Sequence, residues 1–498
     1  MNCNPEPSPI AESIAKRAQR DIEFVCRQLL RFAKMPIDEH MAYLRKHPNE
    51  AFCQIPRPDG KGHLQCGALA WEKLGTLAEL ALDLDRGLGR RVGRLRVRHA
   101  ITDAFVKRVL QEAREVNLET AVLLLQDTLE ALRQSLAVTE HYLPCVLFPG
   151  GAPDEFSVGP VTFTRRGKFF KDRKPLLRRS VEAETAAHIE RVNAALATGF
   201  PSERAYSAVE SMQLVRSLQA RAIKTYRGYP WIASVKVTDC DKDTSQERGA
   251  RAVEMALHII RVLLGAEPTR KLRLAWSRSD ALRTAHLFTD ARGVIQASIG
   301  MNAFGPVGMT NWHEALMQGA SELSVLGSAL TPIVDPVEIH HLHQRLIDAI
   351  NWFGDAAMDS NAPSSIVKYV SAIERLFFGK FESGRTKIFA DRVKGVLDAF
   401  GCDEDRRVYE QALAVYKTRS ALVHGAQSPS DDEVREMVYL AAALSRLCLL
   451  CSAQFYPMML QAFGNPDPAK LEEGMKRISC EGLDWLEEAS GCLTSVKR

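Results

Sequence analysis

The chain lacks the motifs that identify several large classes of enzyme. Gly150-Gly151 is not followed by the Gly-Lys-Ser/Thr of a P-loop, and no Gly-x-Gly-x-x-Gly follows a predicted strand, so neither type of phosphate cradle is predicted. No serine nucleophile motif is present, and no two carboxylates stand at a recognisable spacing. These absences argue against P-loop, dinucleotide-binding and serine-nucleophile enzymes.

The chain also has little net charge. It contains 65 Lys and Arg against 61 Asp and Glu, a formal net charge of +4 over 498 residues. Any binding of nucleic acid must therefore come from local basic patches. Apolar residues make up 46% and charged residues 25%, as in ordinary soluble globular proteins. The length suits two or three domains with sizeable cores.

Signals for export or membrane insertion are missing as well. The 11 cysteines are odd in number and have no framework spacing, and Met1–Ile10 is polar and proline-rich rather than a secretory signal. Free thiols in a reducing cytoplasm are therefore predicted. The longest apolar run, Met437–Leu460, is interrupted by polar residues and by Pro457. We therefore predict a buried helix there and no membrane span.

Apolar periodicity predicts a mainly α protein with an α+β middle region. The predicted segments are a helical region at 1–140, an α+β region at 141–335 that senses or regulates, a helical bundle at 336–465, and a tail of short helices at 466–498. Within the first segment, helices are predicted over Ile14–Phe32 and Ala68–Leu84, while Ala104–Val138 fits one long helix or two.

Alternation of apolar and polar residues marks the strands of the middle region. Strands are predicted over Phe156–Phe163, Trp231–Val237 and Lys271–Trp276. A hairpin is predicted over Ala285–Ile299, with Gly293 in its loop. Helices are expected between these strands.

The most informative segment is Tyr416–Gly425, which is typical of a helix that ends at a glycine. It contains Arg419 and, five positions later, His424. Arginine is a permanent cation whose planar guanidinium group suits phosphate. Histidine takes up and releases protons near neutral pH. Residues five apart in an ideal helix are separated by about 140° of rotation, so the two do not share a face, whereas Ser420 and His424 do.

This segment resembles the Arg-x4-His motif of HEPN domains, and specifically the Apea-like HEPN group. The helices that resemble the four of that family's bundle are Val370–Phe377, with an acidic residue inside its apolar stripe, Thr386–Phe400, Val408–His424 and about Asp431–Met459. The resemblance implies a C-terminal HEPN-like four-helix bundle. In that family two copies pair through these helices, and both motifs meet in one composite cleft.

The resemblance implies metal-independent cleavage of RNA, in which the ribose 2′-hydroxyl attacks the adjacent phosphate. His424 would act as general base or acid, and Arg419 would stabilise charge on the phosphorane-like transition state. Many active members have Asn, Asp or His after the arginine, where this chain has Ser420. Glu374 is expected to hold Arg419 or His424 in place.

The predicted function is a regulated endoribonuclease that acts on RNA, including tRNA, as a homodimer. Family members often act in anti-phage defence or as toxins, which also implies an antitoxin or trigger partner. One alternative is a non-catalytic RNA-binding or dimerisation scaffold built on the same bundle. Another is an enzyme in the N-terminal region whose motif is not recognisable.

A basic segment in the middle region is a candidate for nucleic-acid contact. Basic residues interleaved with Phe169 and Phe170 suit a phosphate backbone and stacked bases. The same residues also fit a solvated face paired with acids such as Asp172. The candidates are Arg165, Arg166, Lys168, Lys171, Arg173 and Lys174.

No metal or cofactor is predicted. His340-His341-Leu342-His343 has no matching Cys/His partner at zinc-site spacing and fits a polar helix face. Cys448 and Cys451 have CxxC spacing but lie inside an apolar helix without a second pair, which favours core thiols.

Overall fold

The structure is a computed structural model of the chain. Most of the described residues are helical, with a small antiparallel sheet in the middle of the chain. The prediction of a mainly α protein with an α+β middle is therefore confirmed at this level. The structure describes residues 9–151, 153–197, 208–275, 283–289, 295–301, 309–337, 339–379, 384–402, 407–425 and 432–489.

The chain forms two compact units, each made of discontinuous segments. The first comprises 1–139, 175–220 and 237–247, and the second 140–174, 221–236 and 248–498. The four segments predicted along the sequence stay a prediction.

The N-terminal part of the first unit is a helical assembly around one core. Its elements are α1 (Pro9–Ala33), α2 (Ile37–Lys46), the hairpin strands β1 (Gln54–Pro56) and β2 (His63–Gln65), α3 (Gly67–Leu84), α4 (Arg94–Phe105) and α5 (Leu118–Gln134). Helices α1, α3, α4 and α5 pack on one another through fully buried apolar side chains such as Ile22, Leu74 and Leu124.

The helices predicted over Ile14–Phe32 and Ala68–Leu84 are present as α1 and α3. The range Ala104–Val138 resolves into the end of α4, a π-helical turn at Val106–Gln111, and a separate α5. The separation occurs because the Asn117 side chain accepts a 2.9 Å hydrogen bond from the Thr120 amide, which starts a new helix there.

A five-stranded sheet lies in the middle of the chain. Its strands stand in the order β4-β5-β6-β3-β7. They are β3 (Ala137–Val146), β4 (Glu155–Val158), β5 (Val161–Arg165), β6 (Trp231–Cys240) and β7 (Arg273–Leu274). The helices around it are α6 (Arg166–Ala197), α7 (Ala208–Tyr226), α8 (Lys242–Leu264) and α9 (Ala266–Thr269).

The strand predicted over Phe156–Phe163 is wrong, because the structure has a hairpin of β4 and β5 there. Gly159 turns the chain with φ +54°, a conformation that glycine adopts without the strain of a side chain. A Cβ at this position would lie 2.1 Å from the carbonyl oxygen of Gly327, so close packing also requires glycine.

The predicted hairpin at 285–299 corresponds to β8 (Arg283–Thr289) and β9 (Ile295–Met301), which pair antiparallel. Its loop, including Gly293, lies outside the described residues. Trp276, the last residue of another predicted strand, also lies outside them, and the described part of that strand is the short β7.

Helices form the C-terminal part of the second unit. They are α10 (Trp312–Gln318), α11 (Ala320–Ser328), α12 (Thr331–Val334), α13 (His341–Met358), α14 (Ala362–Phe377), α15 (Arg385–Ala399), α16 (Val408–Val423), α17 (Asp432–Phe463), α18 (Pro468–Glu481) and α19 (Asp484–Ala489). Helix α14 packs against α13, α16 and α17, and α15 packs against α16 and α18. The stripe of Ile366, Ile373 and Leu376 places one face of α14 in the core, where these side chains are fully buried.

Helix α17 is long and apolar enough to cross a membrane by composition, but half of its apolar window is buried in the protein. It packs against α11, α13, α14 and α16, and Cys448, Leu449 and Phe455 are fully buried. This packing is that of a core helix, as the interruptions by polar residues predict.

A buried ion pair joins α18 to α15. The Arg392 guanidinium donates hydrogen bonds to both carboxylate oxygens of Glu472 and to the carbonyl oxygen of Phe377. Glu472 also accepts from the backbone amide of Gly379. Both side chains are about 5% exposed, so the predicted tail beyond residue 466 contributes a charge to the core.

Candidate functional site

The predicted Arg-x4-His segment lies at the C-terminal end of α16. The His424 amide donates to the Ser420 carbonyl oxygen at 3.0 Å, and the Gly425 amide donates to that of Leu422 at 3.3 Å. Gly425 has φ +71°, the left-handed conformation that ends many helices. The helix therefore stops at His424, and the His424 side chain is exposed.

Arg419 lies one turn earlier and is partly buried. Its Nη2 atom is 3.6 Å from Oε2 of Glu374 on α14, and 23% of the Arg419 side chain is exposed. The guanidinium carbon lies 5.7 Å from the centroid of the Tyr416 ring. The Nε atom is buried and has no hydrogen-bond partner. The guanidinium is thus held by charge and by a ring face rather than by a close hydrogen bond.

Glu374 is the centre of a polar cluster that joins three helices. Besides Arg419 of α16, it accepts a 3.1 Å hydrogen bond from the Tyr416 hydroxyl and a 3.4 Å hydrogen bond from Arg385 of α15. Two guanidinium groups therefore share this carboxylate beside the end of α16. Guanidinium groups in such a position suit a phosphate.

Tyr416 stays protonated as a donor in this cluster. Burial is the largest cause that raises the pKa of its phenol, and the charge and hydrogen bond of Glu374 raise it further. The Tyr416 ring also packs against Phe389, with 4.8 Å between ring centroids. The hydroxyl is therefore positioned from both sides, by the ring contact and by the carboxylate.

The structure does not bring all of the predicted catalytic residues together within one chain. Glu374 and Arg419 form an ion pair, but among the described residues no hydrogen bond or ion pair joins Arg419 to His424. Ser420 meets His424 through the backbone bond given above, and its side chain is half-buried. The rotational separation expected between Arg419 and His424 agrees with this arrangement.

Sequence reasoning missed Tyr416 and Arg385 as partners of Glu374. A usable signal was present for Tyr416, because it stands three positions before Arg419 and shares its helix face. Arg385 begins α15, and its approach to Glu374 depends on how α15 packs, which spacing along one helix does not reveal.

Glu374→Gln is expected to lower the free energy of unfolding by about 1–3 kcal/mol, because it leaves two guanidinium groups without their half-buried carboxylate. Urea denaturation measures this change. Glu410→Gln is the matched control, since Glu410 is exposed on α16 and its substitution is expected to change stability by less than about 0.5 kcal/mol. Equal effects of the two substitutions would contradict a role for Glu374 in holding the cluster.

Most of the basic segment at 165–174 is engaged by the chain itself. Lys168 pairs with Glu155 at 3.2 Å and with Asp172 at 2.9 Å, and Arg173 pairs with Glu140 at 3.0 Å.

The two arginines that precede Lys168 are also held within the chain. Arg165 donates to the Pro149 carbonyl oxygen and lies over the Trp231 ring, and Arg166 donates to the Arg227 carbonyl oxygen. Phe169 is buried against Tyr142 rather than presented for stacking. Lys171 and Lys174 are exposed and have no ion pair among the described residues. The arrangement favours a solvated face more than a nucleic-acid groove.

The other candidate ligands do not assemble into a metal site. No group of three or more His, Cys, Asp or Glu with suitable placement occurs in the described part of the chain. Cys448 and Cys451 are buried, and burial raises the pKa of both thiols. They are core thiols in the structure. The rings of His340 and His343 lie 5.7 Å apart at the start of α13, and Glu338 lies outside the described residues.

Comparison of the chain with protein-family models, with curated proteins and with solved structures finds no match.

Proposed function

We propose that the chain is a regulated, metal-independent endoribonuclease of the HEPN type, with Arg419 and His424 at its active site. The observation that supports the proposal most is the position of the two residues. Arg419 lies partly buried beside Glu374 and Tyr416, and His424 lies exposed where α16 ends at Gly425. Cleavage of a phosphodiester requires a fixed cation and an accessible proton carrier, and the end of α16 carries both.

The four-helix bundle proposed for this activity consists of α14, α15, α16 and α17. The bounds of α15, α16 and α17 agree to within about four residues with the helices that the resemblance predicts, and α14 contains the predicted Val370–Phe377 but begins eight residues earlier. Pairwise packing of α14 with α16 and α17, of α15 with α16 and α17, and of α16 with α17 supports the proposal. Glu374 stands in the first of these helices and contacts the third, as its predicted role requires.

In the proposed reaction the 2′-hydroxyl of a ribose attacks the adjacent phosphorus. One histidine takes the proton of that hydroxyl, and the bond from phosphorus to the 5′-oxygen of the next nucleotide breaks. A second histidine protonates the leaving oxygen, so a cyclic phosphate and a free 5′-hydroxyl result. Arg419 stabilises the negative charge that gathers on the phosphate oxygens in between.

A homodimer supplies both histidines. Within one chain Arg419 and His424 have no direct contact, which supports a composite site made by the α16 ends of two copies. The proposed substrate is RNA, including tRNA, in the cytoplasm. Residues 1–335 are proposed to sense a trigger or to bind an antitoxin partner, in a defence or toxin-like role.

Ser420 occupies the position after the arginine where many active HEPN members have Asn, Asp or His. A serine hydroxyl forms hydrogen bonds but does not exchange its proton near neutral pH. We therefore expect Ser420 to orient a phosphate or a water molecule rather than to act as an acid or base.

A non-catalytic RNA-binding or dimerisation scaffold is the second candidate. It is favoured by one observation: the Arg419 guanidinium already has a carboxylate and a ring as partners, as a purely structural arginine would. In the scaffold, Arg419 stabilises the helices and His424 is an ordinary surface residue.

Incubation of the purified chain with total RNA and with tRNA in EDTA tests the nuclease. We expect cleavage by the wild type and a loss of about 10²–10³-fold for Arg419→Ala, because one charge-stabilising donor is removed from the transition state. Lys417→Ala is the control, since Lys417 is an exposed cation of the same helix. Intact RNA with the wild type in every pool would favour the scaffold, as would equal cleavage by Arg419→Ala and Lys417→Ala.

A further inference from the structure

A cavity of about 440 Å³ lies in the second unit, and its lining includes none of the residues assigned to RNA cleavage. Its walls come from α9, from the end of α13, from the first half of α14 and from the first half of α17. Its volume falls within the range of pockets that hold small organic molecules.

Three arginines line this cavity, and no buried carboxylate of the described residues pairs with any of them. Arg446 donates through Nε to the Val262 carbonyl oxygen at 2.7 Å and through Nη2 to that of Leu263 at 2.6 Å. Arg270 donates at 3.4 Å to the carbonyl oxygen of Asp359. Arg435 has only an exposed pair with Asp432, at 3.4 Å.

Two carboxylates also line the cavity, but one is already compensated. Asp359 accepts hydrogen bonds from Lys368 at 2.5 Å and from the hydroxyl of Ser364 at 2.6 Å. Glu267 is exposed at the edge of the cavity and remains available. Positive charge therefore exceeds negative charge in the cavity.

Arg446 is the arginine that gains most from an anion. Burial lowers its pKa, because the guanidinium loses water and receives only carbonyl oxygens in exchange. A phosphate or carboxylate on its remaining nitrogen would restore the lost stabilisation with a charge-assisted hydrogen bond.

The rest of the lining consists mainly of small side chains, most of them apolar. Its small side chains include Ala356, Ala357, Ala362, Ala442 and Ala443. Tyr439 stands beside them with 65% of its surface exposed, which is unusual for a large aromatic residue. A planar ring fits between a tyrosine face and a wall of alanines.

We infer that this cavity binds a nucleoside phosphate. The base packs against Tyr439 and the alanine wall, the ribose hydroxyls donate to Glu267, and the phosphate accepts from Arg270, Arg435 and Arg446. Planar guanidinium groups suit phosphate oxygens, and carboxylates commonly accept from ribose hydroxyls. The inference is independent of the proposed nuclease.

Isothermal titration calorimetry on the full chain tests the inference, with ATP, AMP, adenosine and inorganic phosphate as probes. We expect ATP or AMP to bind at least about tenfold more tightly than adenosine or phosphate, because only a nucleotide satisfies both parts of the cavity. Absence of binding by both nucleotides would overturn the inference. Phosphate or adenosine binding as tightly as the nucleotides would overturn it as well.

Variants at exposed positions locate the site without disturbing the core. Arg435→Gln and Tyr439→Ser are each expected to weaken nucleotide binding about tenfold while the thermal unfolding temperature stays unchanged. Arg221→Gln, at an exposed arginine outside the cavity, is expected to bind as the wild type does. Unchanged affinity in the first two variants would place the ligand elsewhere and overturn the inference, as would loss of binding in His424→Ala.

Discussion

His424→Ala is expected to lower the rate of RNA cleavage in EDTA by about 10²–10⁴-fold, the contribution typical of one positioned general acid or base. The side chain is exposed at the end of α16, so its removal costs no core packing. The folded state is therefore expected to survive. Denaturing gels of a defined RNA over time give the rate, and size-exclusion chromatography gives the state of assembly.

His340→Ala is the matched control, because His340 is an exposed histidine of the same unit. It is expected to cleave at the wild-type rate. If His424→Ala and His340→Ala cleave equally, His424 is a surface residue, and the scaffold becomes the better account. If His424→Ala loses activity and also fails to form dimers, His424→Gln separates assembly from proton transfer, since an amide keeps hydrogen bonding without titrating.

Glu472→Gln is expected to lower the free energy of unfolding by about 3–5 kcal/mol. The substitution removes a carboxylate that accepts two hydrogen bonds from the buried Arg392 guanidinium, and breaking a buried ion pair by removing one partner is costly. If the glutamine oxygen accepts from the Gly379 amide, its NH2 group faces the donor Nη2 of Arg392, so a hydrogen bond of the pair is lost. Urea unfolding followed by circular dichroism measures the loss, and hydrogen exchange of α15 and α18 locates it.

Glu473→Gln, one position further along α18, is the control for Glu472→Gln. Glu473 is half exposed, and in the described part of the chain its one ion pair is with Lys470, at 2.9 Å and three positions away on the same helix. Such surface pairs contribute less than about 1 kcal/mol. A loss for Glu472→Gln no larger than for Glu473→Gln would show that the pair with Arg392 is not a source of stability.

The sequence predicts the helices of the second unit well and the sheet less well. Helix α16 was predicted to within about one residue because a glycine at 425 ends an apolar helical pattern. Strand β3 is not predicted, since Glu140 and Pro144 within it are residue types that strands disfavour. The partner strands β6 and β7 supply the hydrogen bonds that make this segment a strand, and they lie far away in sequence.

The candidate site was predicted only in part for the same reason. Arg419 and His424 are local in sequence, and the position of Glu374 came from the resemblance. Tertiary packing brings Arg385 to Glu374, and it also pairs Lys168 and Arg173 with acidic residues. The charge of a segment can be read from sequence, but whether that charge is free to meet a ligand cannot.

Helix α14 contributes residues both to the cavity and to the candidate site around Arg419. Tyr369 and Ser365 of α14 line the cavity, and Glu374 of the same helix pairs with Arg419. Tyr369 and Glu374 are about 7.5 Å apart along the axis, a span over which an α-helix behaves as a stiff rod. A shift of its first turns by one ångström would therefore change the 3.6 Å separation of Glu374 and Arg419 by a comparable amount. A ligand that moves α14 on filling the cavity would therefore also change how Glu374 holds Arg419, and by reciprocity an RNA phosphate that drew Arg419 away from Glu374 would alter the affinity of the cavity.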